Sequence, residues 1–161
     1  MQVKQLLRMK HTTVTPETHL DRVWKLLERR DISLVPVVDK KNILTGVIGE
    51  DDLLHLLIPD YYEYFSMFFP EIPNDNDLED KLSKEVSMMA NDVMERRVVV
   101  ALPQESIYTA LARMMVHRVR QLPVVDDDNM RFLGLIIEDD IMKYLFQKHS
   151  HLVKRKQNKP G

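Results

Sequence analysis

The feature that most constrains this chain is a stretch that occurs twice. Arg30 to Leu53 reads RDISLVPVVDKKNILTGVIGEDDL, and His117 to Ile141 reads HRVRQLPVVDDDNMRFLGLIIEDDI. Pro36, Val37, Val38 and Asp39 recur 87 positions later as Pro123, Val124, Val125 and Asp126. Gly46, Glu50, Asp51 and Asp52 recur 88 positions later as Gly134, Glu138, Asp139 and Asp140, so the second turn carries one extra residue. A unit found twice in register fixes the architecture before any local propensity is weighed.

Within each unit the pattern is mixed α and β. Thr12 to Thr15 is short and β-branched and stops at Pro16. Thr18 followed by Asp21 resembles a capping box, and Leu20, Val23, Trp24 and Leu27 then lie on one helical face. Ile107, Ala110, Leu111 and Met114 keep the same spacing in the second unit. Leu34 to Val38 predicts a buried strand, Asp39 to Asn42 a hairpin turn and Ile43 to Ile48 the returning strand. Asp51 and Asp52 open a second helix, at the end where carboxylates suit the helix dipole. Met1 to Met9 predicts a short leading helix whose counterpart is Ala90 to Met94. Each unit is therefore β-α-β-β-α, and two such units bury their uncovered sheet faces by coming together through their sheets.

This divides the chain into repeat 1 at 1–58, an insert at 59–89, repeat 2 at 90–147 and a basic tail at 148–161 that is expected to be disordered. The insert opens with an aromatic cluster, Tyr61, Tyr62, Tyr64, Phe65, Phe68 and Phe69, and continues as a helix from Leu78 to Met88. It reads either as a helical hairpin closing a satellite core or as a lid or self-association surface.

Bulk properties exclude several classes of function. A net charge of −2 gives no general attraction to nucleic acid or anionic membrane, so the basic tail alone argues weakly for a nucleic-acid partner. Without cysteine there is no disulfide framework and no thiolate metal site. No apolar run approaches a membrane span and the first residues do not form a signal peptide, so a cytoplasmic location is expected. The carboxylate pairs Asp51/Asp52 and Asp139/Asp140 do not converge on one centre, because adjacent helical residues point about 100° apart. The six histidines show no metal-ligand spacing, and no serine has a nucleophile context. Neither a catalytic residue nor a metal site is assigned, and no enzyme activity or required cofactor is expected.

The repeated ending suggests binding instead. A strand finishing at Gly46-Val47-Ile48, followed by a carboxylate at a helix N-terminus, offers acceptors for a vicinal diol and backbone N–H groups for an anion. The doubled pattern, with HRVRQLPVVD and GLIIEDDI most clearly, resembles a tandem cystathionine-β-synthase (CBS) domain, the Bateman module, over nearly all of 1–57 and 90–147. The resemblance implies a regulatory module binding an adenosine-containing ligand: AMP, ADP, ATP, S-adenosylmethionine or cyclic di-AMP. It further implies two clefts, each combining the ribose-binding Asp of one repeat with strand segments of the other. One would join Asp52 to Val98, Val99, Val119, Arg120 and Gln121. The other would join Asp140 to Thr12, Thr13, Ile32 and Ser33. The family's Thr or Ser three positions before the Asp is Gly49 in one repeat and Ile137 in the other. Arg118 and Arg120 favour the Asp52 cleft for a phosphate. The resemblance also implies a homodimer, with Ile141, Tyr144, Leu145, Leu53 and Leu57 at its interface, and an unidentified regulated protein as partner. The alternative function is a ligand-free dimerisation scaffold in which Asp52 and Asp140 serve only as helix caps.

Overall fold

In a computed structural model the chain forms two compact units, Thr12–Val98, and Met1–His11 together with Val99–Gly161. Residues 1–29, 31–57 and 75–157 are described. The aromatic cluster of the insert lies outside these residues.

In the Thr12–Val98 unit, helix α1 (Leu20–Leu27) leads to strand β1 (Leu34–Val38), strand β2 (Leu44–Gly49) and helix α2 (Glu50–Leu57). Helix α3 (Asp75–Val86) and the short α4 (Ala90–Val93) follow. In the other unit, helix α5 (Ile107–His117) leads to β3 (Gln121–Val125), β4 (Phe132–Ile137) and α6 (Glu138–Gln157). The mixed α and β repeat expected from the sequence is therefore present twice. β1 pairs antiparallel with β2, and β3 with β4.

The expected first strand of each repeat is reduced to a single bridge, and a proline explains why. Val14 N–H donates to the Pro36 carbonyl, and Val38 N–H donates to the Val14 carbonyl. The next rung toward the N-terminus would need an N–H from Pro36, which proline lacks. Ala101 meets Pro123 and Val125 in the same way.

The conserved spacing of the Pro-Val-Val-Asp copies has an equally local cause. Asp39 Oδ1 accepts from the Lys41 and Ile43 amides at 2.8 and 2.9 Å, and Asp126 Oδ1 accepts from Arg131 at 2.9 Å. The left-handed residue of the turn is Asn42 (φ 63°) in one repeat and Met130 (φ 60°) in the longer other. Aspartate is there to close the hairpin.

Each unit has its own core. Leu20, Val23, Val35, Ile48 and Leu53 meet in one, and Ile107, Met114, Leu122, Ile136 and Ile141 in the other. The leading segments are exchanged between them. Val3, near the chain start, is buried among the residues of the second repeat, while Ala90 and Met94 belong to the core of the first. Val3 N–H donates to the Glu105 carbonyl and Lys4 N–H to Pro103; in the partner arrangement Ala90 N–H donates to Thr18 and Asn91 N–H to Pro16. Each leader begins with the same side-chain cap, Gln5 on the Gln2 amide and Asp92 on the Met89 amide.

Four expectations are corrected. The Thr18 hydroxyl accepts from the Thr15 amide instead of capping α1, whose first N–H, that of Leu20, donates to the Met88 carbonyl. The leading segment forms only a 3₁₀ turn, Val3–Gln5. Helix α6 continues through the basic segment to Gln157, a run without Gly or Pro in which Ser150 Oγ bonds back to the Phe146 carbonyl. Ile141 and Leu53, expected at a dimer interface, are 0% and 1% exposed inside their own cores. Among the described residues, no helix is long and apolar enough to cross a membrane.

Helix α3 is held in part by a buried polar contact. The Trp24 indole N–H donates to Glu85 Oε2 at 3.3 Å, and burial raises the Glu85 carboxyl above its ordinary range.

Candidate functional site

In each unit a strand runs directly into a helix, and the third residue of that helix is an aspartate. For Asp52 this position lets one carboxylate oxygen reach back to the Gly49 amide at 2.7 Å, half of a capping box. Burial raises the Asp52 carboxyl above its ordinary range; the Gly49 N–H opposes this, and the neighbouring Glu95 and Asp51 add to it. Its side chain makes no ion pair with a lysine or arginine among the described residues. A Cβ at Gly49 would meet the Ser33 carbonyl at 3.5 Å and Asp52 Oδ2 at 3.7 Å, ordinary contacts that leave room for a small side chain.

Asp140 sits at the matching position and is bound differently. Arg8 Nε and Nη2 donate to its two oxygens at 2.6 and 2.8 Å, a bidentate pair. This holds the Asp140 carboxyl below its ordinary range despite partial burial. Arg120, expected to supply positive charge to a phosphate, donates to Glu138 at 3.0 Å and to Asp139 at 3.0 Å, the two carboxylates beside Asp140. In the second repeat the adjacent carboxylates face different partners, Asp139 toward Arg120 and Asp140 toward Arg8, as their helical spacing requires.

The remaining candidates fall out by unit. Thr12, Thr13, Ile32, Ser33 and Val98 lie with Asp52, and Val99, Val119, Arg120 and Gln121 lie with Asp140. Ile32 and Gln121 are buried; Thr12, Thr13, Val98, Val99 and Val119 are half-buried, and Ser33 is exposed. An open cleft of about 610 Å³ borders Thr13, with His19, Arg22 and Lys25 on its α1 side. Another of about 460 Å³ borders Val99, His117 and Asp126. Ile137, which replaces the family's hydroxyl residue, is buried in register with Gln121. Among the described residues no group of three or more His, Asp or Glu could hold a metal ion.

The sequence reading missed Arg8 and Glu95. Their separation of 87 positions equals that of the Pro-Val-Val-Asp copies, which is the signal that could have linked them. Arg8 bridges to Leu135 on β4, and Glu95 bridges to Val47 on β2.

The two aspartates should respond oppositely to pH. A carboxyl raised in the fold costs stability above its folded pKa, so Asp52→Asn should stabilise at neutral pH. That gain should vanish as pH falls through the raised pKa toward the ordinary aspartate range. Asp140, lowered by Arg8, contributes stability that is fully present above the ordinary aspartate range and lost as pH falls through its folded value. Asp140→Asn should therefore destabilise at neutral pH, by about 0.5–1 kcal/mol for a partly exposed pair. Thermal melts of both variants at neutral and acidic pH check the opposite signs.

A family model described as "CBS domain" matches residues 3–59 and 90–147. The chain is 30% identical over 145 residues to a CBS domain-containing protein of Dictyostelium discoideum, covering 90% of this chain and 91% of that one. The solved structure of CBSX2 from Arabidopsis thaliana in complex with AMP matches with a TM-score of 0.68 at 23% identity, covering 92% of this chain and 98% of that one. The CBS domain pair of protein MJ0100, in complex with 5′-methylthioadenosine and S-adenosyl-L-methionine, matches with a TM-score of 0.63 at 21% identity, covering 90% and 99%. At these identities the two structures speak for the fold.

Proposed function

The chain belongs to the CBS-domain family, and from that premise we propose that it is a regulatory module that binds an adenosine-bearing ligand through Asp52. The candidates are AMP, ADP, ATP, S-adenosylmethionine and cyclic di-AMP. The observation that carries this reading is the state of Asp52: a half-buried carboxylate at the positive end of a helix, with one oxygen held by the Gly49 amide. Such a group can accept hydrogen bonds from two neighbouring ribose hydroxyls. Support also comes from the bound AMP of CBSX2 and the adenosyl ligands of the MJ0100 domain pair.

The module regulates by differential affinity. A ligand that binds one conformation more tightly shifts the population toward it, and a separate protein reads that conformation. The role is regulatory, not catalytic.

Calorimetric titration of the full chain with AMP, ATP, S-adenosylmethionine and cyclic di-AMP should give saturable heat with at least one. Asp52→Ala should weaken that binding about tenfold or more, the loss expected for hydrogen bonds to a charged group. Absence of heat from every ligand, with the fold intact by circular dichroism, would overturn the reading.

A scaffold reading is favoured by a separate observation. Met142, Phe146, Leu152 and Val153 lie at helical spacing on α6 and are exposed, Phe146 at 65%. Sedimentation of wild type and Phe146→Ala tests it: a dimer that survives without ligand and is lost in the variant supports the scaffold.

A further inference from the structure

The two repeats carry opposite charges at one equivalent position, and each charge acts on the aspartate at the third helix position of its own unit. Arg8 and Glu95 occupy the same place in the fold. Arg8 N–H donates to the Leu135 carbonyl at 2.9 Å and the Leu135 N–H returns to the Arg8 carbonyl at 3.1 Å. Glu95 exchanges the same two bonds with Val47, at 2.9 and 3.0 Å. Both residues press against a glycine of the hairpin's second strand, Gly134 for Arg8 and Gly46 for Glu95. From this shared anchorage Arg8 turns its guanidinium onto both oxygens of Asp140. Glu95 instead adds negative charge near Asp52 and spends one carboxylate oxygen on the Arg97 amide at 2.6 Å.

We propose that this position is a built-in selector of which repeat can take a ligand. Arg8 fills the acceptor sites of Asp140 from within the chain, and Glu95 leaves those of Asp52 to an external donor. The inference rests on the ligand-binding reading above and adds its stoichiometry: one adenosine-bearing molecule per chain, at Asp52.

The chemistry supports the asymmetry. A carboxylate already bound side-on by a guanidinium offers its best lone pairs to that partner, and a ribose diol must displace it. A second cation, Lys143, stands 4.0 Å from Asp140 Oδ1. The neighbours of Asp52 are Glu95 and Asp51, which repel its charge, and His55, which opposes them. Neutral hydroxyl donors, or a ligand carrying positive charge, relieve that repulsion; a guanidinium from the chain does not reach it among the described residues.

The test exchanges the selector. Wild type, Arg8→Gln, Glu95→Arg and the double variant Arg8→Gln/Asp140→Asn are titrated by calorimetry with AMP and, separately, with S-adenosylmethionine. Wild type should bind one molecule per chain. Arg8→Gln should bind two, and Asp140→Asn in that background should return it to one. Glu95→Arg should bind about tenfold more weakly or not at all. A stoichiometry of one in Arg8→Gln, or two in wild type, overturns the selector while leaving the ligand-binding reading intact. No heat from any protein with these two ligands, nor with ATP and cyclic di-AMP, overturns the binding reading instead. In that event carbon-detected NMR titration of the side-chain carboxyls still decides the structural half. Asp140 should titrate below Asp52 in wild type, rise in Arg8→Gln, and leave Asp52 to fall in Glu95→Arg; unchanged titrations would dispose of the selector.

Discussion

Replacing Gly134 with alanine should lower the stability of the fold by about 3 kcal/mol, combining backbone strain with an overlap that cannot relax. Gly134 has φ 151°, a conformation that side-chain-bearing residues rarely adopt, and an added Cβ would overlap the Arg8 carbonyl oxygen. That oxygen is fixed by its bond from the Leu135 amide, so relief requires breaking the Arg8 bridge. Gly46→Ala is the matched control. Its Cβ would meet Met94 Sδ at 2.7 Å and the Glu95 carbonyl at 3.0 Å, and no φ penalty applies. A thioether can swing aside, so a loss of about 1 kcal/mol is expected there. Denaturant midpoints of both variants measure the difference; equal losses would mean that Arg8 is not held against β4 as described.

Ile141→Ala should cost about 3 kcal/mol, the usual loss for emptying a closed aliphatic site. The side chain is 0% exposed and packs with Ile107, Leu122 and Ile136. Because the loss belongs to one chain's own core, it should be independent of protein concentration. Phe146→Ala, one turn and a residue further along α6 and 65% exposed, should change the unfolding free energy of the single chain by no more than about 0.5 kcal/mol. An unchanged midpoint in Ile141→Ala would return that residue to the surface role that the family resemblance implies.

These two residues also show where sequence reasoning succeeds and where it stops. The hairpins, their turn aspartates and the apolar faces of α1 and α5 are local, and periodicity alone places them. The interface assignment of Ile141 and Leu53 failed because one helical stripe looks the same whether it meets its own sheet or another chain. The reduced first strand follows from Pro36 and Pro123, but only once the parallel neighbour is known, since it depends on which edge the missing N–H faces. The contrast between Asp52 and Asp140 was invisible in their nearly identical motifs. It is set by Arg8 and Glu95, residues far away in sequence that arrive through the exchanged leaders. The capping reading at Thr18 failed for a related reason: the Leu20 amide finds its acceptor in Met88, beyond the reach of any local pattern.

The exchange of leaders also orders events during synthesis. Val3 and Arg8 are translated before the residues that bury and bind them, Glu105, Leu135 and Asp140. The Thr12–Val98 unit is continuous in sequence and contains both its leader and its core, so it can close while the rest is still being translated. The seating of the leader that carries Val3 and Arg8, and with it the pairing of Asp140, is therefore expected to follow the closing of the Thr12–Val98 unit.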